Sequence, residues 1–161
     1  MTLRIRPVAS TDVEALVDLT LRAFVPVFES FRSILGDALY EHIWPDWGAG
    51  QRQAVEMMCA DAERYAVLVA EVDGCSVGYV AYTLDAEART GEIQLIAVHP
   101  DLQNQGIATA LCETAIDGMR KMGMLLAKVE TGADPSHAPA RRAYEKAGFI
   151  GLPLVRYFKM L

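Results

Sequence analysis

One stretch of this chain holds residues whose types and spacing could do chemistry. Gln103-x-x-Gly106-x-Ala108 lies between an apolar run (Ile93, Leu95, Ile96, Val98) and a helical pattern that opens at Gly106. A strand that feeds a helix through a glycine-bearing loop is a place for an anion. The first helical N–H groups have no backbone partner, and the helix dipole adds partial positive charge. Gly106 has no side chain, so a phosphate can come close to the backbone. The stretch is not a P-loop, because it lacks the Gly-Lys-Ser/Thr ending that supplies a lysine and a magnesium-binding hydroxyl. With a single glycine in the turn, it is not the dinucleotide fingerprint either. One glycine at a helix start is common; the apolar strand and the polar loop before it make the case.

The elements that must hold this loop can be read from the hydrophobic period. Residues 3–8 alternate as a short first strand. Thr11-x-x-Glu14 is a capping box, and the spacing predicts a helix over residues 12–24, stopped by Pro26. Residues 25–61 are less regular: two short helices around Pro45, then a helix from about 51 to 62. Residues 66–72 and 77–84 read as a hairpin about Asp73-Gly74. The central strand is expected at 92–98. The helix after Gly106 sets Ile107, Ala108, Leu111, Cys112, Ala115, Ile116 and Met119 on one face and ends at Gly123. A strand over 124–131 follows, so the unit 92–131 calls for parallel pairing through a right-handed crossover. A last helix runs to Ala147 and closes at Gly148. One or two final strands are expected in 149–161, the clearer at 155–160.

The composition narrows the functions. The 161 residues suit one domain, and 52% hydrophobic with 22% charged residues is a globular balance. No apolar run reaches the ~18 residues of a membrane span. The first residues lack a secretory apolar core, so the expectation is a cytoplasmic protein with no membrane partner. Cys59, Cys75 and Cys112 form no CxxC pair, and His42, His99 and His137 have no ligand spacing, so no metal is expected. A net charge of −6 argues against nucleic-acid binding and is compatible with a cationic amine partner. The aromatics from Phe28 to Trp47, interleaved with Glu29, Asp37, Glu41 and Asp46, could form a pocket for such an amine. The plainer alternative is that they cover one face of a sheet.

The run LIAVHPDLQNQGIATAL (residues 95–111), with RRAYEKAGF (141–149) downstream, closely resembles the GNAT superfamily of acyl-CoA-dependent N-acyltransferases. Gln103, Gly106 and Ala108 match the family's Q/R-x-x-G-x-G/A motif, with alanine in place of the second glycine. The resemblance implies a single α/β domain. Its sheet would be mixed, mostly antiparallel, of six or seven strands, with a V-shaped splay at a central parallel pair and helices on both faces. It implies acetyl-CoA as donor. The amides of Asn104, Gln105, Gly106, Ile107, Ala108 and Thr109 would hold the pyrophosphate, and the strand edge at Ile96, Ala97 and Val98 would pair with the pantetheine arm. Tyr144 matches the usual general acid, whose phenol can protonate the leaving thiolate. Glu92 and Glu130 match positions that serve as the base in different members. His137 stands where many relatives have a cofactor-contacting asparagine; it either hydrogen-bonds CoA or is a further base candidate. Arg141, Arg142 and Lys146 could face the cofactor's phosphates, with solvated helix charges as the default reading, and His99 is read as a turn residue. Direct transfer to an amine is implied, with the oxyanion held by backbone N–H near Val98. The acceptor expected is a small cationic amine. The alternatives are a protein N-terminus or lysine, or a non-catalytic acyl-CoA-binding module. Homodimers are common in the family.

Overall fold

The computed structural model describes residues 2–161. Five strands form one sheet in sequential order: β1 (Leu3–Pro7), β2 (Ala66–Val72), β3 (Cys75–Asp85), β4 (Thr90–Val98) and β5 (Leu126–Val129). The first three pairings are antiparallel and the last is parallel. A parallel pair needs a crossover, and α4 (Ile107–Lys121) supplies it. The β2–β3 turn is tight because Asp73 (φ 50°) and Gly74 (φ 81°) both take the left-handed conformation that a two-residue hairpin loop demands.

Helices cover both faces. On one side α1 (Val13–Leu35) and α3 (Trp47–Ala60) pack Leu16, Val17, Leu19, Val55 and Met58 onto Val67, Val69, Tyr79 and Ala81. On the other, α4 and α5 (Ala138–Lys146) bring Ile107, Leu111, Cys112, Ala115, Met119 and Tyr144 against Val72, Val80, Tyr82 and Val98. A bulge in β4 sets these layers. Ala81 pairs with Leu95 but Tyr82 with Ile93, so Gln94 is the extra residue. Strict alternation would put Ile93 and Leu95 on one face; instead Ile93 packs with α4 and Leu95 with α1. Buried Thr20 keeps its hydroxyl satisfied by the Leu16 carbonyl and the Tyr79 hydroxyl, each at 2.7 Å. The start of the first helical turn is tied to the sheet by Arg6, which reaches Asp12 at 2.8 Å and Glu71 at 2.9 Å.

Three expectations are corrected. Pro26 does not stop α1, which runs on to Leu35. Pro26 and Arg22 are both exposed, so the carbonyl that loses its bond can meet water, and Phe28 and Phe31 anchor the extension on Trp47 and Trp44. Only one short helix, α2 (Asp37–Ile43), precedes Pro45; past it the chain enters α3 at Trp47, with Asp46 capping the Ala49 N–H at 3.0 Å. The sheet has five strands, not six or seven. Residues 150–161 adopt no regular structure and are exposed. Gly151 and Pro153 explain the lost strand start: one has no side chain to pack and the other no N–H to give a ladder. No helix among the described residues is long and apolar enough to cross a membrane.

Candidate functional site

The parallel pair splays. β4 pairs with β3 all the way to Val98, but its pairing with β5 stops at Ile93 and Val129. The outer edge of β4 from Gln94 to Val98 is therefore open, and it forms one wall of a cleft of about 680 Å³. The loop expected to bind an anion forms another wall, with Gln103, Asn104, Gly106, Ile107, Ala108 and Thr109 all on the lining. Gly106 (φ 84°) and Asn104 (φ 61°) are left-handed, which turns the chain sharply into α4. No side chain caps that helix, so its first N–H groups face the cleft uncommitted. Nothing stands within 4 Å of where a Gly106 Cβ would be. The glycine is needed for its backbone angle, and the space beside it is open to a ligand. Gln103 braces the loop by donating from Nε2 to the Val98 carbonyl at 3.2 Å. Gln105 lies off the cleft, its amide 3.4 Å from the Asp101 carbonyl. His99 accepts the Asp101 N–H, a turn role.

Tyr144 also lines the cleft, 7% exposed, with Phe149 edge-on to its ring at 5.9 Å. Burial holds its phenol well above the ordinary range, so it stays protonated and able to donate. Glu130 is on the lining, exposed. Glu92 is not: it faces Lys128, whose Nζ lies 3.1 Å from its carboxylate. The structure thus separates the two glutamates.

His137 also lines the cleft, and Asp134, absent from the sequence reading, fixes it. The Asp134 carboxylate meets His137 Nδ1 at 2.5 Å and accepts from the Ser30 hydroxyl of α1 at 2.7 Å and from Ser136. Burial pushes this carboxyl up, but the hydrogen bonds from Ser136, Ser30 and His137 outweigh it and bring it to about 2. An ionised Asp134 selects the tautomer with hydrogen on Nδ1, leaving Nε2 as a base. Phe31 stacks on the imidazole at 5.6 Å. Gly132 sits so close that a Cβ there would collide with both Asp134 and His137. Arg141, expected in solvent, donates to the Gly132 and Asp134 carbonyls at 2.6 and 2.8 Å and sets the loop. Arg142 and Lys146 line the cleft, offering cations toward it. The sequence signal for the pair was Asp-Pro-Ser-His at a helix start: Asp134 caps the Ser136 N–H, which places His137 on the same turn.

The aromatic segment lines only a small hollow of about 230 Å³, among Phe28, Glu29, Arg32, Tyr40 and Trp47, apart from the cleft. Phe28 stacks on Trp47 at 4.5 Å and Phe31 on Trp44 at 5.0 Å, so the rings satisfy one another and join α1 to the α2–α3 corner. They do not cover the sheet. The polar contribution at that end comes from Gln51 of α3, which lines the cleft and whose Oε1 is buried without a partner.

Comparisons with known proteins agree with this architecture. The mycothiol acetyltransferase of Streptomyces coelicolor is 32% identical over 82 residues, covering 51% of this chain and 26% of that protein. The chain thus spans about a quarter of the length of that curated relative. The aminoglycoside N-acetyltransferase AAC(6')-Iy, solved with the bisubstrate analogue CoA-S-monomethyl-acetylneamine, superposes over 100% of this chain and 99% of its own at TM-score 0.67 and 15% identity. The ribosomal-protein-alanine N-acetyltransferase of Brucella melitensis biovar Abortus 2308 covers 99% of each chain at TM-score 0.60 and 18% identity. At such identities the two structures share the fold with this chain. The Acetyltransferase (GNAT) family matches residues 36–149, most of the chain and all of the cleft's loop, strand edge and tyrosine; the chain belongs to that family.

Proposed function

We propose that this chain moves the acetyl group of acetyl-CoA to the primary amine of a small cationic acceptor, by direct attack. The observation that carries the reading is that the open β4 edge, the uncapped start of α4 and protonated Tyr144 all line one cleft. These residues suit the donor. The amides from Asn104 to Thr109 receive the pyrophosphate, Arg142 and Lys146 add positive charge, and the edge at Ile96–Val98 offers hydrogen bonds to an amide-bearing arm. Bound acetyl-CoA supplies an electrophilic thioester carbonyl.

The chain's own residues then do three things. Glu130 draws the ammonium ion in, and the unpaired Gln51 Oε1 accepts one of its N–H groups. His137 Nε2, held by Asp134, takes the amine proton, because only the neutral amine attacks. A backbone N–H near Val98 holds the developing oxyanion. As the new C–N bond forms and the C–S bond breaks, Tyr144 gives its hydroxyl proton to sulfur; the proton that the attacking nitrogen then sheds returns through water to Tyr144, and His137 releases the first one to solvent. The mycothiol and aminoglycoside relatives act on small molecules by name, which supports this acceptor class.

Binding of the donor is tested by thermal denaturation. Acetyl-CoA at one hundred times its Kd adds about 2.7 kcal/mol of stability. A midpoint that does not move at saturating acetyl-CoA removes the donor assignment.

A further inference from the structure

With acetyl-CoA as donor, the reading on which this rests, we propose that the cleft also transfers acetyl to oxygen, onto the hydroxyl of a small cationic alcohol presented to His137 Nε2. Several parts of the chain hold that one imidazole. The Asp134 carboxylate meets Nδ1 at 2.5 Å, and the two side chains are only 9% and 15% exposed. Ser30 of α1 donates to the same carboxylate at 2.7 Å, as do the Ser136 hydroxyl and, at 3.2 Å, the Ser136 N–H. Phe31 stacks on the ring, and the bare Cα of Gly132 packs against both side chains. Arg141 grips the carbonyls of Gly132 and Asp134. Among the described residues the ring's hydrogen bonds run through Nδ1, so Nε2 remains for a ligand in the cleft that His137 lines.

An amine acceptor does not demand so firm a base. Its proton leaves by equilibrium before attack, since roughly one amine in 10³ is already neutral at pH 7. Exposed Glu130 on the same cleft is acceptor enough for that proton. A hydroxyl is different. Its alkoxide is not populated at neutral pH, so the proton must pass to a base as the oxygen attacks. An imidazole whose Nδ1–H is held by a buried, ionised carboxylate is the arrangement that activates a serine hydroxyl in hydrolases. Here the hydroxyl belongs to the acceptor. His137 Nε2 takes its proton, the oxygen bonds to the thioester carbonyl carbon, and the C–S bond breaks. Tyr144 protonates the sulfur, and the proton on His137 returns to Tyr144 through water. The products are an acetate ester and CoA, with no further reactant. Glu130 on the lining and a net charge of −6 favour an alcohol that carries a cation.

Choline and N,N-dimethylethanolamine separate oxygen from nitrogen, because each carries a cation and a hydroxyl but no nitrogen that can form a stable amide. The full chain is incubated with acetyl-CoA and either probe, and product and thiol are followed by mass spectrometry and a thiol reagent. An acetylated probe should appear in step with CoA, at least about fivefold faster than thiol release without acceptor. Neutral hydroxylamine, which cleaves esters and spares amides, should remove it. His137→Gln and Asp134→Asn should each cut ester formation at least about tenfold, while the thermal shift given by acetyl-CoA stays as it was. A merely structural role would lower both together. Ser30→Ala, which loosens the carboxylate from α1, should give an intermediate loss and serves where either of those variants does not fold. Acetyl-CoA that shifts the midpoint, with no ester from either probe, overturns oxygen transfer and leaves the amine reading standing. Ester formed as fast by a folded His137→Gln overturns it too. Acetyl-CoA that shifts nothing removes the donor assignment, and this proposal with it.

Discussion

At the scale of single residues, the proposed proton transfers rest on two groups that line one cleft, Tyr144 and His137. Tyr144→Phe leaves the packing against Phe149 and removes only the donor. Its kcat should fall by about 10²–10³ with acetyl-CoA affinity unchanged, which single-turnover kinetics and calorimetry separate; unaltered turnover takes Tyr144 out of the reaction. His137 depends on its orienter. Asp134→Asn keeps the shape but loses the anion that sets the tautomer, so kcat should drop about tenfold or more, and the acidic limb of the kcat/KM profile should shift. An unshifted limb in both Asp134→Asn and His137→Gln moves the base to Glu130. Gly132→Ala reaches the same pair sterically, since its methyl would displace both side chains.

At the scale of elements, the α4 start is the part of the site that local sequence specifies. Gly106→Val forces a β-branched residue to φ 84°, costing on the order of 1–2 kcal/mol in stability. It also crowds the anion cradle, so KM for acetyl-CoA should rise at least tenfold while a folded spectrum persists; an unchanged KM argues against phosphate binding there. The extension of α1 is testable too. Pro26→Ala restores a helix bond at an exposed site and should raise the thermal midpoint, by up to ~3 kcal/mol of stability. The strand, loop and helix from 90 to 121 were legible because period, turn residue and helix start all lie within one local window. Pro26 misled because its effect is overridden by rings 18 and 21 residues away, Trp44 and Trp47, stacking on Phe31 and Phe28. Asp134 was missed because its meaning comes from Ser30, 104 positions earlier, and the bulge at Gln94 because it shows only in the pairing register.

At the scale of the whole molecule, two carboxylates tie distant segments together. Asp12 is lowered to about 2 chiefly by its hydrogen bonds to Arg6, and Asp134 is likewise brought to about 2. Both folded values lie below the ordinary carboxylate value. Their stabilisation is therefore complete above about pH 4 and is lost as pH falls toward 2. Denaturant midpoints measured from pH 5 to pH 2.5 should decline steeply, and less so in Asp12→Asn and Asp134→Asn, which begin weaker; parallel slopes would mean these pairs do not set acid stability. The sheet, its two helical layers and the splay serve one claim, that the cleft joins an acetyl donor to a small amine. Mass spectrometry after incubation with acetyl-CoA and a mixture of di- and polyamines, amino sugars and short peptides tests it most directly. The account predicts that a small cationic amine gains one acetyl group in step with thiol release. Acetylated peptides alone, or bound acetyl-CoA with neither product nor free thiol, would contradict it.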